Sequence, residues 1–140
     1  MTFAVGLKIE SRERHERFLV RAIEKGSVWH LGLKREDGYC SWAESTSNGD
    51  DNGKGGGRKI VPLWSDRAYA KQCAKEGWSV YTPYEVPLNE LLEIVLPNMQ
   101  RRRVLVGTNW NAHLVGFEIT PMKLQSLLVQ ALSEHVASAG

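Results

Sequence analysis

Ser65, Asp66 and His113 supply the three residue types of a hydrolytic triad, in which a base takes the proton of a hydroxyl nucleophile and a carboxylate orients the base. Their setting gives two of them a simpler role. Ser65 and Asp66 are adjacent at the start of a predicted helix, where such side chains accept hydrogen bonds from the first free backbone N–H groups. A hydrolase-type site around Asp66 and His113 therefore stands as the alternative reading, and no residue is assigned a catalytic role.

The same serine and aspartate belong to one of two polar-aromatic corners, Trp64-Ser65-Asp66 and Asn109-Trp110-Asn111, each at the end of a predicted strand. Loops there are held by a rigid scaffold and are where binding residues concentrate. Trp64, Ser65, Asp66, Trp78, Asn109, Trp110 and Asn111 are the candidate binding residues, with Tyr81 and Tyr84 available to join the patch around Trp78. The competing reading makes the tryptophans plugs at the sheet edges and the polar side chains caps of helix and turn.

Other chemistries lack their residues. His15, His30, His113 and His135 show no His-x-x-x-His or His-x-Glu spacing, so no metal is expected. No cofactor is expected either. Cys73, among alanines on a predicted helix, reads as an unreactive buried thiol; Cys40 lies in a predicted strand whose hairpin register sets His30 opposite Trp42 and away from that thiol. Gly49 and Gly53-Lys54 have three residues between them where a phosphate loop has four, and Gly55 replaces its hydroxyl residue. The run from Asn48 to Gly53 matches the first half of a calcium loop, but Lys59 replaces the bidentate glutamate. Arg101-Arg102-Arg103 would suit phosphate, yet no second basic stripe accompanies it, and cations near a helix C-terminus are favourable in any case. The triplet reads as a solvated turn, and nucleic acid is not expected as a partner.

The elements that must position the corners are organised around the stretch from Ile60 to Ala74, a strand running into a capped helix with Tyr69, Ala70, Cys73 and Ala74 on one face and Gly77 past its end. Pro62 in that strand favours an edge or a strand end. Upstream, Ser11 to Lys25 carries apolar residues at helical spacing with Ser11 as N-cap, and residues 1–9 are either a frayed lead or a short extra strand. Ser27–Leu33 and Tyr39–Glu44 form a hairpin about Asp37-Gly38. Residues 45–59 read as a flexible glycine-rich loop. Downstream come an irregular aromatic connector from Trp78 to Pro87, a helix on Leu88, Leu91, Leu92, Val95 and Leu96 stopped by Pro97, strands at 103–107 and 114–119, and a closing helix begun by Thr120-Pro121. This order predicts a single α+β domain over residues 1–140, with a largely antiparallel sheet of about five strands and helices packed mainly on one face.

Composition sets the frame. The chain of 140 residues is 42% hydrophobic and 24% charged with a net charge of +2, ordinary values for a globular protein. Charge is spread evenly, 11 basic against 9 acidic residues before Ile60 and 7 against 7 from there on, so no half is a basic arm or acidic tail. Two sparse cysteines, no signal-peptide pattern and no long apolar run predict a cytoplasmic location without membrane contact.

The combination of Gly26-Ser-Val-Trp29, Asp37-Gly38, Val61-Pro-Leu-Trp-Ser-Asp66, Ala68-Tyr-Ala70, Trp78, Val86-Pro-Leu88, Leu96-Pro97 with Met99, and Leu105-Val-Gly-Thr-Asn-Trp-Asn111 resembles a family of small bacterial proteins classed as a domain of unknown function. The resemblance runs from Arg14 to Leu132; the insert after Ser45 and the arginine triplet depart from it. It implies no activity. The order of these motifs is also similar to a domain associated with secretion-enhancing proteins and to small toxin-immunity proteins, which would imply protein binding. The expected function is that of an uncharacterised, non-catalytic binding module whose partner is another protein or a small molecule.

Overall fold

The computed structural model describes residues 2–38, 40–46 and 57–139, with side chains placed from Glu10 to Ser138 within those ranges. The middle of the predicted glycine-rich loop, residues 47–56, lies outside the described residues. Helix α1 (Thr2–Lys25) leads into β1 (Ser27–Lys34), β2 (Cys40–Trp42), β3 (Ser45–Thr46) and β4 (Lys59–Leu63). Then come α2 (Arg67–Cys73), a 3-10 turn (Glu76–Trp78), β5 (Thr82–Pro87), and a helical run of α3 (Leu88–Glu90), a π turn (Leu91–Val95) and α4 (Leu96–Arg101). Strands β6 (Leu105–Thr108) and β7 (Phe117–Ile119) and helix α5 (Pro121–Ala139) complete the order.

The α+β class holds, with the strands shared between two sheets, β2-β1-β5 and β3-β4-β6-β7, mostly antiparallel. Backbone bonds between Trp29 and Trp64 in both directions, 2.7 and 2.9 Å, couple the sheets. The larger core gathers Phe18 and Ala22 of α1, Val28 and Val86, Leu63 and Val106, Leu91, Leu96 and Met99, and Leu124 and Leu128 of α5. A smaller one joins Leu31, Ala43 and Trp64 to Ala70 and Cys73 of α2. Adjacent residues of a strand point to opposite faces, so Val28 serves the first core while Trp29 and Leu31 serve the second.

Several expectations are corrected. Helix α1 runs through residues 2–10, neither frayed lead nor strand, so Ser11 is interior and not an N-cap. The hairpin forms with Gly38 at φ 89°, but in a register that pairs Gly32, not His30, with Trp42. His30 still stacks on Trp42, at 3.6 Å between ring centroids. Residues at both ends of the predicted 45–59 loop are strand: Ser45 pairs with Ile60 and Thr46 with Lys59. Thr82–Pro87, read as irregular, pairs with β1 along its whole length; it is an edge strand, where Pro83 and Pro87 need no second partner.

The other two prolines show how a local gap substitutes for an edge. Pro62 lies in an interior strand, yet β3 pairing stops at Ile60 and β1 pairing resumes at Trp64. Alternate residues of a strand turn their N–H groups the same way, so the nitrogen of Pro62 faces the interval where neither neighbour needs a donor. Pro97 does not stop its helix. The Leu96 N–H reaches back five residues to the Leu91 carbonyl, and this wide π turn lets the chain continue helically to Arg101. The second predicted helix ends early, at Cys73, with Gly77 in the 3-10 turn beyond it.

Candidate functional site

The two corners meet. Strands β4 and β6 are parallel neighbours with Leu63 opposite Thr108, so the residues that follow each strand emerge side by side. Asn109 turns there in left-handed backbone at φ 48°, a conformation asparagine tolerates better than most residues. Its Oδ1 accepts the Ser65 N–H at 2.8 Å, its Nδ2 donates to Ser65 Oγ at 3.1 Å and to the Arg14 carbonyl at 3.3 Å, and its backbone N–H donates to the Leu63 carbonyl at 2.9 Å. Every polar group of the amide has a partner.

Ser65 passes the network on, its hydroxyl donating to Asp66 Oδ1 at 2.7 Å. Asp66 occupies the N-cap position of α2, but its side chain makes no capping bond, contrary to the expected cap. Instead it faces α1. Arg21 donates to both carboxylate oxygens, Nε to Oδ1 at 2.6 Å and the terminal nitrogen to Oδ2 at 2.5 Å, and Lys25 adds a bond to Oδ2 at 2.6 Å. Arg21, then Lys25 and Ser65, hold the carboxyl well below the usual carboxylate range, against the opposing effect of burial. Arg14, Arg21 and Lys25 are not among the residues singled out from the sequence. One signal was present: positions 14, 18, 21 and 25 fall on a single helical stripe, with Phe18 at its buried centre.

The tryptophans behave differently from one another. Trp64 and Trp110 are buried and give their indole N–H groups to the carbonyls of Trp110 and Phe117, at 3.0 and 3.1 Å. Trp110 lies between Gly107 and Gly116; a Cβ on either glycine would stand 2.4 Å from its ring. Cys73 packs beneath the same corner with its thiol 3.2 Å from the Asn111 carbonyl, and burial pushes that thiol up to about 11. His15 of α1 seals the other flank, bonded to Thr108 Oγ1 at 2.8 Å and stacked on Phe117, with burial lowering its pKa.

Trp78 and Asn111 remain half-exposed, on the outer side of the corner. Asn111 Oδ1 accepts the N–H groups of His113 and Val115 at 2.9 and 3.2 Å, tying residues 111–115 into a compact turn. That turn and the 3-10 turn enclose a cleft of about 400 Å³ whose walls include Cys73, Lys75, Trp78, His113 and Leu114. His113 is exposed on the rim, whereas Ser65 is fully buried. The triad residues are thus divided between the cleft wall and the interior.

A family described as a protein of unknown function, DUF2750, matches residues 15–128, most of the chain. The chain belongs to the DUF2750 family. The match opens at His15 in α1 and ends within α5, so it takes in both corners, Arg21, Lys25 and the Trp78 cleft. No curated protein matches the chain, and no solved structure does. Among the described residues no group of three or more His, Cys, Asp and Glu side chains is placed to hold a metal ion, and no helix is long and apolar enough to cross a membrane.

Proposed function

We propose that this DUF2750 protein is a non-catalytic binding module whose contact surface is the cleft at Trp78, and that its partner is a small molecule or a side chain presented by another protein. The observation that carries the reading is the backbone on the two sides of that cleft. Glu76 and Leu114, both lining it, hold left-handed conformations at φ 54° and 59°. Such residues cost on the order of 1–3 kcal/mol each and cluster at ligand clamps, where the surrounding structure over-determines them. An aromatic wall with a few polar groups in a cleft of this size suits a compact ligand.

On this reading the candidate residues divide by role. Trp78 contacts the ligand and Asn111 shapes the turn that faces it, while Trp64, Ser65, Asp66, Asn109 and Trp110 are the scaffold. Binding is favoured over hydrolysis because the Asp66 oxygens already take four donated hydrogen bonds and the Ser65 hydroxyl both donates and accepts within the corner. Two free cysteines fit a reducing, cytoplasmic setting.

The test is a fragment screen observed on the ¹⁵N-labelled protein. Fragments that bind are expected to move the Trp78 indole resonance and the backbone amides of Glu76, His113 and Leu114. The Trp78→Ala variant, folded by its spectrum, loses them. Fragments that bind elsewhere and are indifferent to Trp78→Ala would overturn the reading.

A further inference from the structure

A second cleft, of about 390 Å³, lies between the β2–β3 segment and the π-turned helical run. Trp42, Val61, Val95 and Met99 give it an apolar lining, with Glu44 and Arg102 among its polar residues. Its charge arises from topology. Strands β4 and β6 run parallel with Ile60 opposite Leu105, so the residues just before each strand emerge at the same end of the sheet. Arg58 precedes β4 and Lys59 opens it, and Arg101, Arg102 and Arg103 end the helix and turn before β6. The second basic stripe that the sequence does not place beside the arginine triplet is supplied by strand pairing.

The contacts join four of these cations into one patch. Arg58 Nε donates to the Arg103 carbonyl at 3.0 Å, and Glu44 draws in Lys59 at 3.7 Å and Arg102 at 3.3 Å. Among the described residues Glu44 is the carboxylate that pairs with members of this patch, Lys59 and Arg102. Lys59 and Arg102 remain 65% and 60% exposed, so their pairs with Glu44 are weak surface bridges that an incoming anion can replace.

We propose that this cleft binds a small organic phosphate, its apolar body against Trp42, Val61 and Met99 and its phosphate held by Arg102 and Lys59. A guanidinium offers phosphate two parallel donors, and more than one cation matches a dianion better than a single carboxylate. A small molecule is favoured over a nucleic acid because the apolar lining is a bounded cleft in which, among the described residues, Trp42 is the one aromatic side chain, with no row of them for stacking successive bases.

The experiment is ligand-observed NMR and calorimetry on the full chain with phenyl phosphate, adenosine 5′-monophosphate and glucose 6-phosphate, each beside its dephosphorylated parent, with inorganic phosphate alone and a short single-stranded oligonucleotide. At least one organic phosphate is expected to bind about tenfold or more tightly than both its parent and inorganic phosphate. The Arg102→Gln/Lys59→Gln variant, altered only at exposed side chains, loses that preference, and Met99→Ala weakens binding of the body. The proposal is overturned if no phosphate binds, if parent and phosphate bind equally, or if the double variant binds as well as the wild type. It is also overturned if the oligonucleotide binds and none of the small phosphates competes with it.

Discussion

The Ser65 backbone N–H donates to Asn109 Oδ1 at 2.8 Å, and Asn109 Nδ2 returns a bond to Ser65 Oγ at 3.1 Å. Two residues 44 apart in sequence, each just past a strand end, are closed on each other by one amide side chain. Asn109→Gly keeps the left-handed backbone but strands the buried Ser65 N–H, and is expected to cost about 1–3 kcal/mol. Asn109→Ala adds the penalty of a Cβ in that backbone, roughly 1 kcal/mol more. Urea denaturation of both variants measures the difference; equal losses would remove the backbone component.

Trp110 is held between two glycines, and this makes a coupled prediction. Gly107→Ala places a Cβ where the indole lies and is expected to destabilise by about 1–3 kcal/mol. In a Trp110→Phe background the smaller ring makes room, so the alanine costs less and the double-mutant cycle departs from additivity by at least about 0.5 kcal/mol. Additive losses would mean that the ring and Gly107 do not compete for the same space.

Some of this arrangement was legible in the sequence, and the rest was hidden for identifiable reasons. The residue types of the corners, the Gly38 turn and the Thr120-Pro121 helix start follow from local chemistry, and all three are local features. Strand β5 was hidden because Pro83 and Pro87 argue against a strand until its edge position is known. The continuation past Pro97 was hidden because a π turn has no composition of its own. Arg21 and Lys25 were hidden because their partner, Asp66, lies more than forty residues away, and charge on a helix face reads by default as solvated. The basic patch was hidden because parallel pairing of β4 and β6 is a property of topology, to which sequence distance is blind.

His30 and Asp66 separate two windows of acid sensitivity. His30 is buried between Trp42 and Tyr84, and burial lowers its pKa to about 4. Below pH ~6.5 the unfolded chain takes up a proton at His30 that the folded chain refuses until about pH 4, so stability is lost as pH falls through that interval, by about 3 kcal/mol in all. His30→Phe is expected to reduce this slope, leaving the share of His15, whose pKa burial also lowers. Asp66 is likewise depressed when folded, so its contribution is present above the unfolded carboxyl value, about 3.9, and lost as pH falls further. Asp66→Asn removes the lower slope and leaves the upper one. Denaturation midpoints across pH 3–7 distinguish them; a single slope insensitive to both substitutions would contradict the assignment.

The two thiols differ in kind. With its pKa near 11, Cys73 is only about one part in a thousand thiolate at pH 8, and it is buried as well. Cys40 is half-buried on the second cleft. Alkylation of the native protein followed by mass spectrometry is expected to modify Cys40 at least about tenfold faster than Cys73, with the difference abolished in urea. Equal native rates would place Cys73 within reach of solvent.

The inner corner residues are committed to internal bonds while Trp78 remains half-exposed in its cleft. Hydrogen exchange at the indole N–H groups tests it most directly. Trp64 and Trp110, whose buried indoles donate to backbone carbonyls, are expected to exchange more slowly than Trp78 by at least about a hundredfold. Exchange of Trp64 or Trp110 as fast as that of Trp78 would contradict the account, because it would return the inner corner to the surface.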